Sequence, residues 1–272
     1  MNQEQMMQDN PFIPKPVKIK RVLWHGHDNF SMYVDWKEKY QPGQFAQLSV
    51  LGIGECPISF ASYGKDYVEF NISIVGSVTQ AMSKLKKGDT IYIRGPYGKG
   101  YPFKDFKKKD LIFIGGGCGV APLKGAIECM EYHRKDFKNI WLFMGFRSPE
   151  NILFKTQIRG WRKAFKTHLT VDNVEDHSCY IGEVGYITNA VRDETFDSKD
   201  KVVMICGPPI MMVKTVEILL EKGFTPEQIF VSTERLMHCA IGKCGACMIR
   251  GIYTCLDGPV FRYDEIMNYK TD

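Results

Sequence analysis

Four cysteines near the C-terminus, Cys239, Cys244, Cys247 and Cys255, stand at the spacing C-x4-C-x2-C-x7-C inside HCAIGKCGACMIRGIYTCLDG. Three thiolates followed by a more distant fourth form the ligand pattern of a two-iron, two-sulfide (2Fe-2S) cluster, in which four thiolates converge on two irons. Gly242, Gly245 and the small Ala246 let the backbone fold closely around the sulfides, where peptide N–H groups offset the reduced cluster's charge. A structural zinc site is the alternative, but zinc ribbons carry two C-x2-C pairs and this segment holds one. Disulfides or free thiols are the remaining reading. Cys56, Cys129 and Cys179 have no such spacing and read as packed small side chains.

A second chemistry lies in LIFIGGGCGVAPL, which sets Gly115, Gly116, Gly117 and Gly119 between a buried strand and a helix N-terminus. There the unpaired N–H groups and the helix dipole favour a phosphate, and glycine lets the backbone approach it. The strict G-x-G-x-x-G fingerprint is missing, and no acidic residue follows about 20 positions later at a strand end. A tight turn needing positive φ would account for one or two of these glycines, hardly for all of them. Further on, VVMICGPPIMM ends another strand in Cys206-Gly207-Pro208 at the carboxyl edge of a sheet, where ligands of doubly wound folds lie. Cys206 is expected to face a bound ring there, a plain core position being its alternative.

The other ionisable residues say less. His25, His27, His133, His168 and His177 show no metal or base pairing, and His238, next to the first cluster cysteine, reads as a surface histidine or a tuner of the cluster. Glu234, just before the cysteine segment, and Asp172, at a strand end on the nucleotide side, are candidate carboxylates, although acids are common at turns and strand ends for ordinary reasons. No catalytic triad is expected.

These residues need elements to hold them. A chain of 272 residues with 44% hydrophobic and 25% charged side chains suggests about two packed domains with room for a small third module. The formal charge of +5 is spread out except for Lys107, Lys108 and Lys109, and no basic and aromatic residues interleave for base stacking, so a nucleic-acid partner is not expected. The start MNQEQMMQDNPFIPKP lacks the marks of a signal peptide, and no run of ~18 apolar residues occurs, so neither export nor membrane insertion is expected. The cysteines, nine in number and bunched at one end, suit metal ligation in a reducing cytoplasm.

Residues 1–14 read as a polar arm. From Val17 to about Pro96, short strand-like runs such as VKIKRVLW, FSMYVDW, FAQLSV, YVEFNISIV and TIYIRG, with one helical interruption at SVTQAMSKLKKGD, predict an antiparallel barrel over 15–106. Strand and helix patterns then alternate, predicting a doubly wound parallel α/β domain over 107–227. Glycines and cysteines take over in a small module over 228–272. The fold class expected is thus α+β multidomain.

A barrel followed by GGGCGVAP, CGPPIMM and a C-terminal cysteine cluster resembles the ferredoxin-NADP reductase superfamily, and within it the subfamily with a C-terminal 2Fe-2S module. That subfamily includes dihydroorotate dehydrogenase electron-transfer subunits, sulfhydrogenase gamma subunits and the B-type subunits of anaerobic sulfite reductase. The motifs GECPISFASYG, VGSVTQAMSKLKKGD, GPYGKGYP, KGFTPEQIFV and GKCGACMIRGIYTCLDGPVF resemble the sulfite reductase branch, and NPFIPKP is similar to starts in the sulfhydrogenase branch. The resemblance implies FAD on the barrel, with Pro57, Ile58 and Ser59 beside the isoalloxazine, Ile72 and Ile74 on the next strand, and Gly76, Val78 and Thr79 at the helix turn that receives the pyrophosphate. It also implies NAD(P)H, with NADH favoured, on the second domain. Gly115 to Gly119 with Pro122 would hold the diphosphate and Cys206, Gly207 and Pro208 the nicotinamide side. Arg147 stands where the family approaches the adenosine. In one departure, many relatives carry an arginine two residues before the flavin-contacting aromatic, where this chain has Cys56 in Glu55-Cys56-Pro57-Ile58-Ser59. Another cation or backbone donors must then serve the pyrophosphate.

The implied activity is NADH oxidation through the flavin and the cluster to a partner subunit docked near the cysteine module. Its terminal reaction is sulfite reduction, with a hydrogenase, dihydroorotate dehydrogenase or bifurcating complex as the alternative. A reading of another class is a zinc-bearing scaffold subunit with a regulatory nucleotide site.

Overall fold

The computed structural model describes residues 10–64, 67–174 and 180–267. Residues 1–9 of the expected arm, and Cys179 and His177, lie outside the described residues.

Six strands make the first unit: β1 (Lys15–Trp24), β2 (Asn29–Val34), β3 (Phe45–Val50), β4 (Gly54–Ser59), β5 (Val68–Ser73) and β6 (Thr90–Tyr97). They pair antiparallel in the order β4-β3-β6-β1-β2-β5. Successive strand side chains point to opposite faces, and one face fills the interior with Phe30, Met32, Leu48, Phe70, Ile72 and Ile93. A bridge between Phe60, just past β4, and Phe70 joins the two edge strands and closes the barrel. The short helix α1 (Ser77–Met82) follows β5 and adds Met82 to this interior.

The second unit begins with β7 (Asp110–Gly116), β8 (Ile140–Phe146), β9 (Lys166–Val171), β10 (Glu183–Val184), β11 (Lys201–Cys206) and β12 (Ile229–Ser232). Between them run α2 (Val120–Tyr132), α3 (Lys155–Ala164), α4 (Ile187–Asp193) and α5 (Pro209–Glu221). The chain ends in the hairpin β13 (Met248–Ile249) and β14 (Ile252–Tyr253), then α6 (Thr254–Asp257), β15 (Val260–Arg262) and α7 (Tyr263–Ile266). Strand order is β10-β9-β8-β7-β11-β12-β15, parallel except for β15. Every residue of β7 and β11 is buried, as a strand covered on both faces requires. Leu123, Ile127 and Trp161 of α2 and α3 pack on one face, and Ile187, Val191, Val216 and Leu219 of α4 and α5 on the other. Strand order reverses between β7 and β11, the switch point at which such sheets open a crevice.

The expected cysteine module over 228–272 is not a separate layer throughout. Its first strand, β12, pairs with β11, and β15 returns beyond the cysteines to pair with β12. These runs, IFVS and VFR, are too short to show a period in sequence, and pairing alone reveals them.

One fully buried lysine joins the two units. Lys124 of α2 donates to the carbonyl of Ala61 (2.9 Å), to Glu69 on β5 (2.8 Å) and to Glu128 (2.5 Å), and Glu69 is itself fully buried. Beside it, a Cβ on Gly125 would lie 3.0–3.1 Å from the carbonyl oxygens of Ser62 and Phe60, so glycine lets the helix touch the strand. The helix that starts at the glycine loop is thereby fastened to the chain leaving β4.

Candidate functional site

The four expected glycines divide by task. A Cβ on Gly115 would press on Val120 and Leu123 at 2.9 and 3.1 Å, so this glycine seats α2 on its strand. A Cβ on Gly119 would strike the backbone of Cys206 and Gly207, so it brings the β7 and β11 loops together. Gly117, with φ of 54° and open space around it, faces outward. Gly116, Gly117 and Gly119 then line a cleft of about 750 Å³ with Gly207, Pro208 and Met212. From Gly117 and Cys118 a second groove of about 650 Å³ runs to Arg147, Ser148, Asn151 and Asn173, on the side expected for an adenosine.

Cys206 takes the core position, its alternative reading. It is 2% exposed, lies in the core and does not line either cleft; burial raises its thiol far above the usual range despite a bond to Ser232. Pro122 is also displaced from expectation, since it lines the barrel-side cleft.

That barrel-side cleft, about 330 Å³, runs along Cys56, Pro57, Ile58 and Ser59 and is completed by Asn71, Ser73, Val75 and Thr79. Strand alternation corrects two expected residues: Ile72 is fully buried inside the barrel and Ile74 packs against the same core, while Asn71 and Ser73 present their side chains to the cleft. Val78 likewise packs on the barrel core. At the turn into α1, Thr79 Oγ1 accepts the N–H groups of Val75 (3.0 Å) and Gly76 (3.1 Å). Nothing lies within 4 Å of a Cβ placed on Gly76, leaving room for close approach. Arg235, an exposed cation, lines this cleft.

Arg94 and Glu55 have another duty. Arg94, 4% exposed, pairs with both carboxylate oxygens of Glu55, and donates to the carbonyls of Cys239 (2.6 Å) and His238 (2.8 Å). Gln47 donates to the carbonyl of His238 as well (3.3 Å). Sequence reasoning missed this anchor, whose partners are 144 and 145 residues apart in the chain.

The cysteine loop winds through left-handed backbone at Ala240 (φ 62°), Gly242 (φ 68°) and Gly245 (φ 78°). Gly242 also has Leu256 against it where a Cβ would stand. This winding turns N–H groups inward: Lys243 and Cys244 donate to Cys239 Sγ (3.2 and 3.4 Å), and Gly242 donates to Cys255 Sγ (3.2 Å). Burial works against the Cys239 thiolate, but these donors win and bring the thiol down to about 7; burial and its neighbour Cys247 push Cys255 up to about 12. Cys239 interacts with Cys244, and Cys255 with both Cys247 and Cys239. Among the described residues no three His, Cys, Asp or Glu side chains close on one ion position. Four cysteines at this spacing, with N–H groups turned toward their sulfurs, would hold a 2Fe-2S group.

The sites adjoin. Cys118, Thr233, Glu234 and Arg235 line both the glycine-loop cleft and the barrel cleft. Cys118 Sγ lies 2.7 Å from Ser73 Oγ across the junction. Thr233 Oγ1 is buried there with no hydrogen-bond partner among the described residues, as expected of a group that meets a polar ligand. Desolvation where the two clefts meet raises the carboxyl of Glu234 above the usual glutamate range, although the residue stays exposed. Met237 and Phe45 line the barrel cleft and also pack with Cys247 and Cys255. The remaining candidates are structural: His168 stacks on Phe143 and pairs with Glu194 (3.1 Å), His133 bonds Tyr63, and His25 bonds Ser31.

Residues 113–217 match the family described as Oxidoreductase NAD-binding domain, and residues 234–267 the Iron-sulfur cluster binding domain of dihydroorotate dehydrogenase B. Sulfhydrogenase 2 subunit gamma of Pyrococcus furiosus is 37% identical over 84% of this chain and 85% of its own. Sulfhydrogenase 1 subunit gamma of the same organism is 34% identical over 97% and 95%. A probable dihydroorotate dehydrogenase B (NAD(+)) electron transfer subunit from Methanocaldococcus jannaschii is 34% identical over 93% and 91%. In fold, the chain superposes on an NADH-dependent reduced ferredoxin-NADP oxidoreductase with a TM-score of 0.73, covering 93% of this chain and 92% of that one at 23% identity. Among the described residues no helix is long and apolar enough to cross a membrane.

Proposed function

The chain belongs to the family of the sulfhydrogenase gamma subunits and the dihydroorotate dehydrogenase B electron-transfer subunits, and on that premise we propose that it carries electrons from NADH, through FAD, to a sulfite-reducing partner. It is an NAD(P)H-dependent flavo-iron-sulfur oxidoreductase subunit; NADH, FAD and sulfite are the proposal's additions. When bound, a flavin would supply the chemistry that couples two-electron hydride donors to a one-electron cluster, and this chain's residues would hold the three groups close to one another.

The chain's own residues arrange that exchange. Gly116, Gly117, Gly119 and Gly207, with Pro208, offer backbone to the dinucleotide, and Pro57, Ile58, Ser59, Asn71, Ser73 and Thr79 hold the flavin. Glu234 keeps its carboxyl proton to higher pH than an ordinary glutamate at the wall between them. Cys239, Cys244, Cys247 and Cys255 hold the cluster. The observation that carries this reading is the sharing of walls, Thr233 and Glu234 between the two clefts, and Met237 and Phe45 between the barrel cleft and the cysteine loop.

Sulfite as the final acceptor is supported by the motifs GECPISFASYG and GKCGACMIRGIYTCLDGPVF. No siroheme-type motif occurs in the chain, so a partner must complete the reaction. A second reading, a hydrogenase partner, is favoured by the 37% identity to a sulfhydrogenase gamma subunit. Native purification followed by assay separates them: sulfite-dependent NADH oxidation by the complex is expected, whereas hydrogen-dependent NAD+ reduction without sulfite turnover would establish the second reading.

A further inference from the structure

The chain between the third and fourth cluster cysteines does more than connect them. It forms the β13–β14 hairpin, in which Ile249 pairs with Ile252 across the turn Arg250-Gly251, both of whose residues have positive φ (44° and 91°). Such a turn matches the natural twist of a two-stranded ribbon and fixes its register. Ile249 and Ile252 line the cleft of about 750 Å³ whose other side is Gly116, Gly117, Gly119, Gly207 and Pro208. The glycine loops bring backbone to that cleft, and the hairpin brings hydrocarbon.

Two residue pairs are far too few for a ribbon to hold itself in water. Ile252 rests on the sheet core, and the ribbon's remaining anchors lie at the cysteines. Cys247 directly precedes β13, and its carbonyl accepts the N–H (3.3 Å) and the hydroxyl (3.0 Å) of Thr254, the residue before Cys255. Met248 N–H donates to the carbonyl of Gly245 (3.0 Å) within the same loop. Whatever fixes Cys247 and Cys255 therefore fixes Ile249 and Ile252.

We propose that the β13–β14 hairpin is the apolar wall of the nicotinamide-nucleotide site, so that assembly of the cluster sets the affinity for the nucleotide. This rests on the placement of the dinucleotide against the glycine loops. A cluster-free chain would keep its flavin yet bind nucleotide poorly, which prevents reduction of a flavin whose electrons have no exit.

The test is equilibrium binding of tetrahydro-NAD, which occupies a nicotinamide site without delivering hydride, to flavin-loaded full-length protein. The double variant Ile249→Ser, Ile252→Ser is expected to weaken binding about tenfold, the scale of losing most of one buried aliphatic contact, with flavin content and the iron-sulfur absorption unchanged. Cys255→Ser, which leaves the cluster unassembled, is expected to weaken binding at least as much. If the double variant does not retain its cluster, Ile249→Ser alone decides, because Ile252 packs on the sheet core and Ile249 is not part of it; about threefold weakening is expected. Gly119→Val, which drives a side chain into the β11 loop, serves as control and should abolish binding. Affinity within twofold of wild type in the hairpin variants, with Gly119→Val inactive in binding, overturns the inference. Unchanged binding in Gly119→Val overturns instead the placement of the nucleotide.

Discussion

Glu234 carries a proton-linked consequence of its position. Desolvation beside the two clefts raises the carboxyl of this exposed residue in the folded chain above the unfolded value of ~4.3. A carboxyl so raised costs nothing below the unfolded value, and stability falls as pH rises through the folded value, because the unfolded chain ionises first. Glu234→Gln removes that penalty. Its melting temperature should exceed that of wild type at pH 8 and converge with it below pH 4; a constant difference across that range would show that the carboxyl is not raised. Arg94 offers a second check at this scale. Its guanidinium holds the carbonyl of Cys239 and the carboxylate of Glu55 in a nearly buried site, so Arg94→Met takes a donor from the carbonyl and leaves Glu55 only the Ser49 hydroxyl. Iron loss to a chelator should become several-fold faster while bound flavin is retained. Equal rates in variant and wild type would deny the anchor. The cysteine quartet was legible from spacing, since ligand geometry dictates local sequence. Arg94 was not, since nothing near it in the chain names its partners.

At the scale of elements, α2 ties the glycine loop to the barrel. Lys124 and Glu69 are fully buried and Glu128 is nearly so, and removing one partner of a buried ion cluster strands the others. Lys124→Met should cost about 3–5 kcal/mol of stability by urea denaturation, and adding Glu69→Gln should return part of it. A loss below 1 kcal/mol would mean the acids hold no charge. Much of this level was readable beforehand: the alternating apolar runs gave the barrel, and strands alternating with helices gave the parallel sheet. The face of β5 was read one residue out. Ile72 looked like a ligand contact, but it fills the barrel, and Asn71 and Ser73 take the cleft, because which face of a closed barrel carries the ligand depends on what packs outside it. β12 and β15 escaped notice because four and three residues show no period.

For the whole molecule, the arrangement is a relay built from borrowed walls. The nucleotide cleft shares Thr233 and Glu234 with the barrel cleft, and the barrel cleft shares Met237 and Phe45 with the cysteine loop. Resemblance supplied the order of the parts, and the folded chain supplies their adjacency. The central claim is that electrons enter at the glycine loops, pass the barrel cleft and leave one at a time from the cysteine quartet. Anaerobic reduction of the purified protein by NADH, followed by visible absorption and electron paramagnetic resonance, tests it most directly. Wild type should bleach its flavin and develop the signal of a reduced 2Fe-2S cluster, and a Cys247→Ser variant reduced by dithionite should give no such signal. A flavin fully reduced by NADH beside a cluster that stays oxidised, although dithionite reduces it, would contradict the account.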